Sequence, residues 1–168
     1  MTDDQQTSLT LPTTRLTLIE ITPDRATNLS LGGPGGFTWI AGGPEEGTRT
    51  GAGIAAKAAA EGAYVPGWGA YALVRRSDGR AVGAMGFHGP PLAGQVEIGY
   101  DVVASARRQG YATEALQALA AWALTSPEVT LVFARTEPGN LASQGVLDRA
   151  GFTRASETAE GPRFELRA

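Results

Sequence analysis

The sequence predicts one mixed α/β domain, and three observations carry that prediction. Strand-type patterns rich in Val, Ile, Leu and Tyr recur at 15–21, 95–103 and 129–136. A strongly helix-periodic stretch at 112–124 lies between the last two. No internal repeat, domain boundary or run of membrane-span length interrupts the 168 residues, so 1–168 is read as one domain. At that length folding buries about 70% of the unfolded surface. A hydrophobic content of 42% against 18% charged residues is a globular composition.

The elements follow in order. Residues 1–10, "MTDDQQTSLT", are polar and acidic; they read as a frayed tail and not as a signal peptide. "RLTLIEI" (15–21) is a strand anchored by Leu16 and Leu18 and ended by Thr22-Pro23. Asp24 is placed to cap a short helix over 24–31. Residues 32–53 pile up turn formers, "LGGPGGF", "AGGPEEG" and "TGAG", and read as a mobile loop. "IAAKAAAEGAY" (54–64) has the alanine content of a helix, ended by Gly62 and Pro66.

"GAYALVRRSDGRAVGAMGFHG" is a hairpin, with Tyr71 and Leu73 on one arm, Ala81–Phe87 on the other and "SDG" at the turn. "QVEIGYDVV" (95–103) is a strand in which Gly99 marks a bulge or a close backbone approach. In the helix over 112–124, Ala112, Ala115, Leu116, Leu119, Ala120 and Ala123 form one apolar face. Pro127 prevents its continuation. "VTLVFART" (129–136) is a β-branched strand, with Phe133, like Trp122, assigned to the core. In "NLASQGVLDRAGF", Asn140 is an N-cap type, Leu141, Val146 and Leu147 give an apolar side, and Gly151 follows the helix end. "FTRASE" and "RFELRA" make a final antiparallel pair.

Composition excludes several chemistries. With no cysteine there is no disulfide, thiolate metal site or cysteine nucleophile, which fits a reducing, cytoplasmic compartment. His88 is the only histidine, so no histidine-rich metal site exists, and no Gly-x-Ser-x-Gly elbow accompanies it. A net charge of -3 argues against nucleic-acid binding. No P-loop pattern supports nucleotide hydrolysis.

The densest local positive charge is "RRQGYA" (107–112), at the mouth of the 112–124 helix. The first turn of a helix carries unpaired N–H groups and a partial positive charge, which repels arginines and favours a phosphate. Gly110 allows a turn that aims successive N–H groups at one point. Arg107 and Arg108 add cations for phosphate oxygens. The stretch expects a bound anion.

Three segments extend that reading. "GFHGPP" with "VEIGYDVV", then "RRQGYATEALQALAAWAL", then "NLASQGVLDRAGF" together resemble the GNAT acyl-CoA N-acyltransferases, in the branch of RimJ/RimL-like enzymes. The likeness spans roughly residues 70–155, and less clearly 15–21. Arg108 and Ala104 stand where family members often have glycine and proline. The resemblance implies the GNAT fold: a central, mostly antiparallel twisted sheet, splayed between its two central strands and flanked by about four helices. It also implies acetyl-CoA as cosubstrate, no metal, a primary amine as acceptor (a protein N-terminus, an amino acid or a small amine), and the option of a homodimer.

Carried onto these residues, Gln109, Gly110, Tyr111, Ala112 and Thr113 would cradle the pyrophosphate with backbone N–H groups, beside Arg107 and Arg108. Backbone groups of Val102 and Val103 would pair with the pantetheine amides like an added strand. An N–H near Tyr100–Val102 would polarise the thioester carbonyl. Asn140 would bond the pantetheine arm while also serving as a helix cap. Ser143 resembles the position proposed to protonate the leaving thiolate; a helix-start serine bonded to backbone is the other reading.

Two residues compete as general base. Glu97 shares a strand face with Gly99 and Asp101, and reads either as base or as a salt-bridged strand residue. His88 is the rival base, or a structural residue of its turn. Tyr100 reads as pocket wall or core. Without cysteine the transfer would be direct attack in a ternary complex. A non-catalytic acyl-CoA sensor on the same fold is the alternative.

Overall fold

The computed structural model describes residues 8–168. Eight strands form one sheet in the order β1-β2-β3-β4-β5-β6-β8-β7. They are β1 Thr10–Pro12, β2 Leu16–Glu20, β3 Ala70–Arg75, β4 Ala81–Phe87, β5 Gln95–Val102, β6 Leu131–Arg135, β7 Thr153–Thr158 and β8 Gly161–Arg167. Four helices accompany them: α1 Pro23–Ser30, α2 Glu46–Ala60, α3 Tyr111–Leu124 and α4 Leu141–Arg149. Every pairing is antiparallel except β5 with β6. This is the mixed, mostly antiparallel architecture expected from the sequence.

Alternation on the strands builds two cores. On one face Leu16, Leu18, Tyr71, Leu73, Ile98 and Val102 meet Ala115, Leu116, Leu119 and Ala120 of α3 and Leu147 of α4. Each fully buried leucine there contributes about 2 kcal/mol of transfer free energy. Trp122 closes this core in a cluster with Trp68, Tyr71 and Phe87. On the other face Ile21, Ala72 and Ala84 meet Ala26, Leu29 and Ala52 of α1 and α2.

Several local expectations change. The tail expected over 1–10 lies mostly outside the described residues, but Thr10 opens β1 and pairs with Ile19. The cap position of α1 is Thr22, because Pro23 fits the first helical turn. The loop expected over 32–53 ends at Glu45, and α2 begins eight residues earlier than its alanine run. Gly47, Thr48, Thr50, Gly51 and Gly53 are poor helix formers. Tertiary contacts override them: Arg49 donates to the carbonyls of Leu29 (2.8 Å) and Gly33 (2.9 Å). Leu141 is exposed, so the buried side of α4 rests on Leu147, with Val146 half-buried. Phe133 is not core. It shares the outer face of β6 with Arg135, and Arg163 stacks 3.8 Å above its ring.

Candidate active site

β5 serves two neighbours in turn. Gln95, Val96 and Glu97 pair with Leu131, Val132 and Phe133 of β6. From Ile98 to Val102 the strand pairs only with β4, and β6 diverges. Val103 N–H donates to Val82 C=O, and His88 N–H donates to Glu97 C=O. Those two bonds fix the phase of the ladder, so the backbone groups of Tyr100 and Val102 point away from β4 into the gap. The N–H expected to be free at Val103 is therefore spent inside the sheet. Val102 C=O accepts from Arg107 Nε at 2.9 Å.

A single 3₁₀ turn, Ala104–Ala106, leads from this gap to α3. Arg108 has φ +65°, a left-handed conformation that glycine adopts more readily. Gly110, at φ 82°, is the N-cap of α3 and supplies no capping side chain. Among the described residues, the N–H groups of Arg108 through Thr113 find no backbone partner. The Thr113 hydroxyl, at the first turn, is buried without a hydrogen-bond partner. These orphan donors, next to a helix N-terminus, fit an anionic oxygen-rich group.

Arg107 does not lie over this cradle. Its guanidinium turns back to Val102 C=O, with Asp101 at 3.9 Å. Arg15 supports the loop from outside, donating to Gln109 C=O at 2.7 Å and to Glu114 at 2.8 Å. Burial raises the Glu114 pKa, but bonds from Thr13 and Arg15 outweigh it and hold the carboxylate below its ordinary range. Nothing local in the sequence marks Arg15 for this role.

The two faces of β5 carry different chemistry. On the α3–α4 face, Tyr100 spans the gap, and its hydroxyl meets Ser143 Oγ at 2.6 Å. It also donates to Ser143 C=O at 3.1 Å. Burial pushes the Tyr100 pKa up, and the Ser143 bond only partly offsets that. Asn140 Oδ1 accepts from Ser143 N–H at 3.1 Å, the cap expected at the start of α4; its Nδ2 is free of that bond.

On the α2 face, Glu97 lies beside His88, its cross-strand neighbour. Its carboxylate accepts two bonds from Arg135, both 3.0 Å, and stands 3.3 Å from His88 Nδ1. Burial raises the Glu97 pKa, but Arg135 and His88 together bring it below the ordinary value. A carboxylate so held is a weak proton acceptor and a firm orienter. His88 Nε2 sits over Gly99, 3.0 Å from where a Cβ on that glycine would be. The close approach expected at Gly99 is thus made by an imidazole, and the ladder runs through it without a bulge.

The gap opens on this face into a cavity of about 550 Å³ between α2 and β3–β5. Small residues on both walls make the room: Gly51, Ala55 and Ala58 above, Ala70, Ala84 and Gly86 below. Asp101 supplies its carboxylate. Burial and the Glu45 charge raise its pKa, against Arg107 and the N–H groups of Thr48 and Gly47. The side chain thereby lies against the first turn of α2. A Cβ at Gly47 would stand 2.5 Å from Asp101 Oδ2, so a larger residue there would push the carboxylate aside. Alternation had put Asp101 on the face of Glu97 and Gly99, and the placement of α2 adds the first turn of that helix to its Arg107 neighbour.

The chain resembles known proteins over most of its length. The family model described as Acetyltransferase (GNAT) domain matches residues 15–153. A Bacillus subtilis protein, the uncharacterized N-acetyltransferase YjdG, is 39% identical over 95 residues, which are 56% of each chain. The match therefore spans only about half of that relative. An acetyltransferase structure from Agrobacterium tumefaciens superposes with a TM-score of 0.66 at 22% identity, covering 95% of both chains. The ribosomal L7/L12 α-N-protein acetyltransferase RimL gives 0.64 at 19% identity, covering 96% of this chain and 95% of that one.

Proposed function

The chain belongs to the GNAT acetyltransferase family, and from that premise we propose that it moves an acetyl group from acetyl-CoA to a primary amine, as a RimJ/RimL-like enzyme. One observation carries the reading. The gap beyond Glu97 is bordered by unpartnered N–H groups at 108–113 and opens on a cavity with an oriented imidazole.

The acetyl thioester supplies the acyl group. The N–H groups of Gln109 through Thr113 hold its phosphates, with Arg108 at the mouth of the loop and Arg107 swinging from Val102 C=O to join them. The backbone of Tyr100 and Val102 binds the pantetheine amides as an added strand, and Asn140 Nδ2 reaches the same arm. A Tyr100 or Val102 N–H polarises the thioester carbonyl. Gly99 leaves room for the His88 ring itself, which stands over it at the edge of the cavity.

His88 Nε2 takes the proton from the acceptor ammonium, directly or through one water. Glu97, fixed by Arg135, holds the ring through Nδ1 as a positioning residue. The amine nitrogen forms the new C–N bond and the C–S bond breaks. The thiolate receives a proton from Ser143, which Tyr100 relays from water across their 2.6 Å contact, and the second proton that the amine nitrogen loses on becoming an amide leaves to water, so both hydroxyls end as they began. With no cysteine in the chain, the acyl group passes directly between the two substrates.

The test is release of free thiol from acetyl-CoA across a panel of amines, beside calorimetric titration with CoA. Binding of CoA with amine-dependent thiol release is expected. Failure to bind CoA overturns the reading, and so does binding without turnover on any amine.

A further inference from the structure

We propose that the acceptor is a primary amine carried on one compact apolar group, and that polycationic amines are excluded. The inference rests on the transferase reading above and narrows its acceptor.

The argument starts from the walls of the cavity. The α2 sequence "GTRTGAGIAAKAAA" offers the sheet glycines and alanines, and β3–β5 answer with Ala70, Ala84 and Gly86. Small residues on both sides leave space that no side chain of the protein fills. The volume of about 550 Å³ lies within the range of small-molecule sites. Two of the large apolar side chains that stay in water, Ile54 (62% exposed) and Val65 (43%), stand on the lining of this same cavity. Exposed apolar surface gathered around a cleft marks a place where another apolar surface is buried.

The polar groups of the cavity are few and specific. Asp101 is its only carboxylate among the described residues. Already shared with Arg107 at 3.9 Å and with the first turn of α2, it has capacity for one ammonium at the end where His88 and Gly99 lie. Thr48 also lines the cavity, is 5% exposed, and has a hydroxyl with no hydrogen-bond partner. Buried polar groups are normally satisfied, so this one looks to a bound ligand. The cavity thus holds one cationic head and an apolar body. A second or third ammonium would be buried against alanine and isoleucine without a counter-ion, which is strongly unfavourable.

Two sources present this chemistry: a free amine, or the first residue of a peptide with an apolar side chain. The experiment separates them. kcat/KM is compared for phenethylamine, the tripeptide Phe-Ala-Ala, the tripeptide Asp-Ala-Ala, spermidine and an aminoglycoside, using the full chain and acetyl-CoA.

Phenethylamine or Phe-Ala-Ala is expected to exceed spermidine, the aminoglycoside and Asp-Ala-Ala by about a hundredfold, on the scale of a misplaced polar group. Whichever of the first two leads identifies the source. Equal or better turnover of a polycation overturns this inference and leaves the transferase reading intact. Absence of CoA binding overturns that reading first.

Ile54→Asp is the companion variant, at an exposed position that leaves the fold in place. It is expected to raise KM for the apolar acceptor about tenfold and leave KM for acetyl-CoA unchanged. No change in acceptor KM overturns the role given to this wall.

Discussion

The loop before α3 and the wall made by α2 border the same gap, and they are built on different principles. The loop works through its backbone. Arg108 at φ +65° and Gly110 at φ 82° turn the chain so that N–H groups from 108 to 113 stay free. The wall works through what its side chains leave out. Gly51, Ala55 and Ala58 define a space, and Asp101 and His88, from β5 and the end of β4, define its chemistry. A backbone device tolerates side-chain change but not a change of φ. A side-chain device tolerates neither a larger residue nor a misplaced charge.

The sharpest way to break the comparison is on the wall side. His88→Ala should lower kcat about a hundredfold to a thousandfold, the range of a general base. It should leave KM for acetyl-CoA unchanged. Unchanged kcat would hand the base role to another group.

Next comes the loop. Gly110→Val puts a β-branched residue at φ 82°, and its Cβ would stand 3.2 Å from an Arg15 nitrogen. The left-handed conformation costs about 1–2 kcal/mol, so the Kd for CoA should rise about tenfold while kcat at saturation holds. Equal affinity in a titration would show that the cradle is not where CoA binds.

A smaller effect separates positioning from catalysis. Glu97→Gln keeps the shape beside His88 but weakens its hold. Because the folded pKa of Glu97 lies below its ordinary 4.5, its contribution to stability is present above that value and lost as pH falls through the folded one. The variant should therefore be less stable than the parent at neutral pH and converge with it in acid. Tm measured across pH checks the sign.

The smallest expected effect is in the support of the wall. Tyr64, on the cavity lining, donates to the buried Glu20, which also accepts from the N–H groups of Gly67 (3.1 Å) and Leu9 (3.2 Å). Tyr64→Phe removes one bond of that set and should cost about 1 kcal/mol. Melting should fall by a few degrees, with acetyl-CoA kinetics unaltered.

The two regions also differ in how much of them could be read in advance. The α3 face, the hairpin of β3 and β4, the Asn140 cap and the anion-seeking turn at 107–112 all follow from residues within a few positions of one another. Hydrophobic period, glycine at a helix mouth and a capping side chain act over one or two turns of chain, whereas the direction of the Arg107 side chain, folded back to Val102 C=O, was decided by tertiary contacts. The start of α2 could not be read this way. Its glycines and threonines argue locally for a loop, and what holds them helical is Arg49 reaching α1, with Asp101 of β5 set against the first turn.

The sequence by itself determined the turn before α3 in the candidate site, because φ preference, helix periodicity and N-terminal donors are properties of neighbouring residues. Only the tertiary structure decided the side-chain half. Glu97 became the partner of Arg135 and His88 through strand register, and Phe133 left the core for a stack under Arg163 because, among the described residues, no helix covers that face of its half of the sheet. Tyr100 met Ser143 only because α4 packs across the gap. The cavity is an absence of atoms between two elements far apart in the chain, and no local pattern of residues encodes an empty volume.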